Sequence, residues 1–133
     1  MKKSELFKAL SDETRLRLLN LFIQSKKPLC VCELTDALSM PQYQVSRHLS
    51  LLKHQSFINS EKQGKWNYYF LVNENPVNSQ LFVFLRSFLN DTQFEQDWQY
   101  LQKRLNLREN DLCTIGSVAA EELDNLLQKK NKC

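Results

Sequence analysis

Residues that break helices are rare in this chain, which has two glycines and three prolines among 133 residues. Apolar periodicity can therefore be followed with few interruptions, and its spacing is mostly that of a helix. Leu16, Leu19 and Ile23 recur at helical spacing after a predicted N-cap at Ser11, and a Lys-Lys-Pro run at residues 26–28 ends this helix. The sequence predicts a mainly α-helical protein.

Three further helices are predicted in the first half of the chain. Two of them are short, near residues 6–10 and 32–38. A break at residues 39–41 precedes a longer helix over residues 41–54, since proline at the start of a helix loses no hydrogen bond. Two helices joined by such a tight break are typical of a helix-turn-helix.

The pattern changes after this point and then becomes helical again. Residues 57–62 and 66–72 flank a turn at Gly64, and the second segment is rich in aromatic side chains, which predicts a two-stranded hairpin. Helical spacing returns after Pro76, and a last helix is predicted within residues 112–127. The order α-α-α-α-β-β-α with extra C-terminal helices is typical of a winged helix-turn-helix.

We expect residues 1–90 to form a winged helix-turn-helix domain for DNA binding and dimerisation, and residues 91–133 to form a helical extension of uncertain role. The net charge of +3 does not distinguish a DNA-binding protein from other classes, because many proteins that never touch DNA are equally basic. Its distribution is more informative. The charged residues between positions 39 and 70 are Arg47, Lys53, Lys62 and Lys65 against Glu61 alone. A basic face is predicted there.

The predicted helix over residues 41–54 has an apolar and a polar side. Val45, Leu49 and Leu52 share the apolar side, and His48 at its edge is predicted to be a hydrogen-bonded structural residue. Amides, hydroxyls, a guanidinium and a tyrosine ring on the other surfaces could read base edges. The predicted DNA-binding set is Gln42, Tyr43, Gln44, Ser46, Arg47, Ser50, Lys53, Lys62 and Lys65, with the lysines on phosphates.

Four cysteines are present: Cys30, Cys32, Cys113 and Cys133. The chain has no apolar run of about 18 residues and no apolar run directly after its N-terminal lysines. We therefore expect a cytoplasmic protein without membrane association, whose thiols stay reduced and form no disulfide scaffold. Thiolates are soft ligands that suit arsenite, antimonite, cadmium or lead.

Several motifs resemble one family of regulators. Residues 29–34 read Leu-Cys-Val-Cys-Glu-Leu, residues 45–49 read Val-Ser-Arg-His-Leu, and residues 62–66 read Lys-Gln-Gly-Lys-Trp. Together with Ser-Asp-Glu-Thr-Arg at residues 11–15, they resemble the arsenical-resistance repressors of the ArsR/SmtB family. The resemblance implies a homodimer, paired through its first and fifth helices, that leaves a palindromic double-stranded operator when an inducer binds.

Cys30 and Cys32 are the predicted inducer ligands, with As(III) or Sb(III) as inducer and Cd or Pb as alternatives. Many arsenic-responsive members of the family have a third cysteine where this chain has Thr35. The third ligand is therefore Cys113, with Cys133 less favoured, or a small thiol or water. Residues two apart in a regular helix point about 200° apart, so the pair can face one ion only if the helix start is extended or unwinds. We expect binding to distort this helix and misplace the recognition helix.

The same residues are compatible with two other functions. A thiol-redox repressor in which Cys30 and Cys32 oxidise stays open, as does a winged helix that serves only as a protein-interaction module. Neither an enzyme nor a catalytic cofactor is expected, because there is no glycine-rich phosphate loop and neither histidine has a nucleophile in its motif. Dimerisation is expected because an apolar stripe exceeds what one small domain can hide. The stripe comprises Leu6, Phe7, Leu10, Leu81, Phe82, Leu85, Phe88 and Leu89.

Overall fold

The structure is a computed structural model that describes residues 2–131. In this range the elements are α1 Lys3–Leu10, α2 Glu13–Ser25, β1 Leu29–Cys30, α3 Val31–Leu38, α4 Gln42–His54, β2 Ile58–Gln63, β3 Trp66–Leu71, α5 Pro76–Phe88, α6 Thr92–Leu105 and α7 Ala120–Asn131. Their order confirms the predicted winged helix-turn-helix with additional C-terminal helices. Each helix of the described range is too short or too polar to traverse a lipid bilayer.

The start of α2 differs from the prediction by one residue. Asp12 is the N-cap, and its carboxylate accepts a hydrogen bond of 3.1 Å from the backbone N–H of Arg15. Ser11 instead ends α1, where its hydroxyl donates to the carbonyl of Phe7 at 2.8 Å. Serine and aspartate are equally good N-caps, so the prediction of Ser11 was wrong because it did not consider the end of the preceding helix.

The hairpin predicted around Gly64 is confirmed, and one short strand extends its sheet. The strand order is β1-β3-β2, with both pairs antiparallel, and Gly64 takes a left-handed backbone conformation with φ of 61°. β1 has two residues, and its Cys30 lies opposite Tyr68 of β3. A strand of this length has no periodicity to detect. Because Cys30 belongs to this short strand, its backbone is extended.

A single apolar core joins the helix-turn-helix to the C-terminal part of the chain. Leu21 of α2, Leu34 of α3 and Leu101 of α6 are completely buried in it. A partly buried ion pair also connects α2 with α6: the Arg17 guanidinium donates two hydrogen bonds, of 2.7 and 2.8 Å, to the Asp97 carboxylate. Helices α5 and α6 are therefore integral to this core, whereas Leu123 of α7 packs with Leu107 and Val118 in a separate small cluster.

Residues 112–127 do not form one helix, which corrects the prediction for this segment. Asn110 and Asp111 take left-handed conformations, with φ of 54° and 58°, in a turn closed by the pairing of Glu109 with Leu112. The chain then runs as a loop to α7. The apolar residues of this loop have the spacing of a helix. Much of the loop backbone, however, forms hydrogen bonds with side chains of other elements and not the bonds of a helix.

Candidate functional site

Three cysteine side chains converge between α3 and the loop before α7. The sulfur atoms of Cys30, Cys32 and Cys113 all lie within 4.8 Å of one another, and those of Cys32 and Cys113 are 3.5 Å apart. Cys30 and Cys113 are buried, whereas Cys32 is half-buried. We call these three residues the thiol triad. Cys133 lies outside the described residues.

The extended backbone before α3 allows Cys30 and Cys32 to face the same point. Cys30 is the N-cap of α3, with φ of −83° and ψ of 155°, and Cys32 lies in the first turn. The 200° separation expected within a helix therefore does not apply to this pair. Of the two ways to bring the sulfurs together, the structure has the extended helix start, so convergence of the triad does not require α3 to unwind.

Glu33 and Arg108 fix both sides of the thiol triad. The Glu33 carboxylate accepts the backbone N–H of Cys30 at 3.0 Å. Arg108 donates to both oxygens of the same carboxylate at 2.7 Å and to the carbonyl of Pro28 at 2.8 Å. These groups are buried, and the hydroxyl of Tyr68 accepts the backbone N–H of Cys113 at 2.9 Å.

A second buried ion pair holds the segment that carries Cys113, which we call the C-terminal strap (residues 106–119). Arg104 donates to Asp36 of α3 at 2.7 Å and to the carbonyls of Ile115 and Gly116 at 2.8 and 3.0 Å. The backbone N–H of Val118 donates to Asp36 at 2.9 Å. The strap is thus fastened to α3 on both sides of the triad, through Arg104 and Arg108.

The three thiols of the triad differ in acidity. Hydrogen bonds from Cys113 and Cys30, with the charge of Arg104, lower the pKa of Cys32 to about 3. The hydrogen bond with Cys113 lowers the pKa of Cys30, but the proton shared with Cys32, burial and the charge of Glu33 together raise it to about 12. The pKa of Cys113 is raised because it shares its proton with the other two thiols and is buried. One soft thiolate and two thiols therefore face each other near neutral pH.

The predicted DNA-reading helix presents the expected face to solvent. Val45, Leu49 and Leu52 of α4 are fully buried. Gln42, Tyr43, Arg47, Ser50 and Lys53 are exposed, Gln44 and Ser46 are half-buried, and Lys62 and Lys65 are exposed near the tip of the hairpin. The Lys65 ammonium lies 5.1 Å from the centre of the Trp66 ring. These positions leave the predicted DNA-binding groups accessible.

Two thiols of the triad and two of the predicted DNA-binding groups line one cleft. The cleft has a volume of about 350 Å³, and its walls include Cys30, Cys32, Gln42, Lys65 and Trp66. Gln42 begins the recognition helix, and Lys65 follows the turn of the wing. A ligand bound at the thiols would therefore lie beside two groups that we predict to contact DNA.

His48 has the structural role predicted for it. It is buried in α4, and the Arg15 guanidinium approaches its Nδ1 at 3.3 Å. Arg15 also donates to the carbonyls of Lys8 and Ala9 in α1. Burial lowers the pKa of His48, so the neutral imidazole is favoured. This cluster joins α1, α2 and α4.

Sequence reasoning missed the residues that surround the triad. Arg104, Arg108 and Tyr68 contact α3 or the strap, and none of them stood out by type. One signal was present: Asp97 and Arg104 are seven residues apart, which places two charges on one face of α6. Charges on a face that also carries Leu101 indicate buried pairing, because unpaired charges are not tolerated in a core.

Comparison with known proteins gives consistent matches. The family described as "Bacterial regulatory protein, arsR family" matches residues 12–60. The "Arsenic resistance transcriptional regulator ArsR2" of Pseudomonas putida is 45% identical over 85 residues, covering 62% of this chain and 73% of the relative. The "Arsenical resistance operon repressor" of Escherichia coli is 46% identical over 73 residues, covering 55% of this chain and 62% of the relative.

A solved structure shares the fold. The crystal structure of the AntR antimony-specific transcriptional repressor superposes with a TM-score of 0.52 at 28% identity. The match covers 63% of this chain and 73% of that one. It agrees with the winged helix-turn-helix architecture described above.

Proposed function

The chain belongs to the ArsR family of bacterial regulatory proteins, and we propose that arsenite or antimonite releases it from operator DNA by binding the thiol triad. As a member of this family it is a DNA-binding transcriptional repressor of metal or metalloid resistance, and it is not an enzyme. The operator in this proposal is a palindromic duplex bound by a homodimer in the cytoplasm, where thiols stay reduced.

The observation that carries this proposal is the convergence of Cys30, Cys32 and Cys113. The first two of these cysteines line one cleft with Gln42 and Lys65. Arsenite in neutral water is As(OH)₃. Starting from three protonated thiols, each sulfur replaces one hydroxyl on arsenic, and the thiol proton leaves with that hydroxyl as water. Three As–S bonds form, three waters are released, and arsenic remains As(III). Soft thiolates are suited to this ion, and residues already held together form a chelate at little cost in entropy.

Release of DNA follows from the position of the triad. Bonds to arsenic would replace the contact between Cys32 and Cys113 and the contact of 3.6 Å between the Cys32 sulfur and the carbonyl oxygen of Ile115. These contacts join α3 to the C-terminal strap, and α3 packs on α4. A ligand can release DNA only by binding the free protein more tightly than the bound one, and a coupling of about 1.4 kcal/mol already changes DNA affinity tenfold.

A second candidate is a thiol-redox response. The structure favours Cys32 and Cys113 for it over the pair Cys30 and Cys32, because Cys32 is the acidic thiol and the sulfur of Cys113 is 3.5 Å away. Peroxide would convert the Cys32 thiolate to a sulfenic acid with loss of hydroxide. The Cys113 thiol would then form the disulfide with loss of water.

One titration separates these inducers. The protein, bound to fluorescent DNA from its own upstream region, is titrated with arsenite, antimonite, Cd²⁺ and Pb²⁺ under reducing conditions, and with peroxide without reductant, while anisotropy is recorded. We expect release at the lowest concentrations by arsenite or antimonite. Release only by Cd²⁺ or Pb²⁺, or only by peroxide, would assign one of the alternatives. Failure to bind the DNA at low salt would favour a protein-interaction module.

Base reading and phosphate binding can be separated on α4 and the wing. Arg47→Ala is expected to weaken operator binding by about 1–3 kcal/mol and to relax base preference, because a guanidinium in the major groove reads guanine. Lys65→Ala is expected to weaken all DNA similarly and to lower the slope of log affinity against log salt by about one. Equal behaviour of the two variants across sequences and salt would contradict our assignment of these surfaces.

The surface available for dimerisation overlaps only in part with the stripe predicted from sequence, through Phe7 and Phe88. Phe82, Leu85 and Leu89 are buried within the protomer. The exposed large apolar side chains of α1 and α5 are Phe7, Val77, Val83, Phe84 and Phe88, with the last two stacked at 4.9 Å. We propose that a second copy of the chain covers this surface, because four of the five side chains lie on α5 and monomers rarely leave a cluster of large apolar side chains exposed.

Sedimentation at micromolar concentration tests the proposed dimer. The wild-type protein is expected to sediment as a dimer, and a Phe84→Glu, Phe88→Glu double variant as a monomer, because two carboxylates would be desolvated at the interface. Leu112→Glu, at an exposed apolar residue of the strap, is the control and is expected to stay dimeric. A monomeric wild type, or a dimeric double variant, would contradict the assignment.

A further inference from the structure

The charges around the thiol triad cancel each other. Arg108 is paired with Glu33, and Arg104 with Asp36, at N–O distances of 2.7 Å. All four residues are buried, and the Arg104 side chain is only 1% exposed. These groups lie on both sides of the three sulfurs, through α3 and the strap. The protein surrounding the triad therefore offers it no net buried charge.

Other charged groups near the triad do not change this balance. Asp111 approaches Arg108 at 3.4 Å, but it is 65% exposed and is paired with Lys27 at 3.0 Å. Lys65 lines the cleft and is exposed, so water and salt screen its charge. The buried charges are therefore the ones that act on a bound ion through a low-dielectric medium.

A neutral environment distinguishes trivalent from divalent ions. Three thiolates around As(III) or Sb(III) form a complex without net charge. The complex of three thiolates with Cd²⁺ or Pb²⁺ carries one net negative charge. Its formation from three thiols releases three protons. Burial of an uncompensated charge is strongly unfavourable, whereas burial of a neutral complex is not.

We propose that Glu33 and Asp36 determine the ion specificity of the thiol triad, because they cancel the charges of Arg108 and Arg104 and so favour trivalent over divalent thiophilic ions. This inference rests on the proposed function of the triad as the inducer site. Without Glu33, the Arg108 guanidinium beside Cys30 would have no buried counter-charge. It would then stabilise the anionic complex of a divalent ion.

The test compares arsenite with Cd²⁺ on charge variants of the full chain. Affinities are measured by competition and by the sulfur-to-metal charge-transfer absorption. Glu33→Gln retains an acceptor for the Cys30 N–H but removes the charge, and we expect the ratio of Cd²⁺ to arsenite affinity to rise about tenfold. Adding Arg108→Gln restores neutrality and is expected to return the ratio to the wild-type value.

Two further variants keep the result interpretable. Asp97→Asn removes a buried carboxylate that is paired with the half-buried Arg17 and has no described contact with a cysteine, and is expected to leave the ratio unchanged. Asp36→Asn repeats the test at the second pair if Glu33→Gln does not fold, with operator binding as the folding control.

The outcomes distinguish this inference from the proposed function. An unchanged ratio in a folded Glu33→Gln or Asp36→Asn variant overturns the specificity role, even if wild type binds arsenite tightly. An equal rise in Asp97→Asn, or a failure of the Glu33, Arg108 double variant to restore the ratio, also overturns it. A wild-type protein that binds neither ion contradicts the proposed function itself.

Discussion

Cys32→Ser is expected to give a repressor that holds its operator normally but no longer leaves it when arsenite is added. Cys32 carries the most acidic thiol of the triad and is its half-buried member, through which a ligand enters from the cleft. Loss of this ligand should weaken arsenite binding by more than about a hundredfold, since removal of mere supporting residues at metal sites already costs 10–100-fold. Operator affinity should stay within about twofold, because the thiol lies outside the DNA-reading face.

The matched changes at the other cysteines make this prediction specific. Cys113→Ser should be as severe as Cys32→Ser, since its sulfur lies 3.5 Å from that of Cys32. Cys133→Ser makes the same chemical change elsewhere in the chain and should leave the response intact. Anisotropy on operator DNA with increasing arsenite gives all the values. If Cys32→Ser dissociates at the wild-type arsenite concentration, the triad is not the inducer site.

Arg104→Ala is expected to lower the free energy of unfolding by about 3–5 kcal/mol, which is the usual cost of breaking a buried ion pair from one side. The substitution would leave the Asp36 carboxylate buried with only the Val118 N–H as a described partner. It would also free the carbonyls of Ile115 and Gly116 and open a cavity at one of the largest fully buried side chains. Urea denaturation at fixed protein concentration measures the change.

Two comparison variants show whether the loss comes from the unpaired charge. Lys103→Ala removes an exposed cation from the same turn of α6 and should change the stability by less than about 0.5 kcal/mol. An Arg104→Leu, Asp36→Leu double variant should be clearly more stable than Arg104→Ala, because apolar side chains replace both charges. A loss below about 1 kcal/mol in Arg104→Ala would show that the strap is not held by this pair.

Local patterns were sufficient to predict much of the fold. The hairpin around Gly64 and the buried face of α4 follow from alternation and from helical spacing, because each depends on neighbours close in sequence. The same reasoning failed at residues 112–127, where apolar spacing is helical but the backbone is tied to Arg104. It also failed for the stripe on α5, because helical spacing cannot tell which apolar face the protomer itself will cover.

The site could be predicted only in part for the same reason. Cys30 and Cys32 are recognisable as a pair by their proximity in the chain, and their chemistry points to soft ions. The position of Cys113 depends on contacts across 75 and 45 residues, between Arg108 and Glu33 and between Cys113 and the Tyr68 hydroxyl. Such contacts are determined by the tertiary fold, and no local periodicity reports them.

The location of Cys113 on the C-terminal strap has an evolutionary consequence. The residues assigned to operator recognition lie between Gln42 and Lys65, whereas the third sulfur comes from a separate segment of the chain near the C-terminus. Mutation, recombination or exchange of the strap can therefore add, move or remove a ligand without altering which operator is read. A lineage could diversify the toxins to which it responds while its promoters stay unchanged.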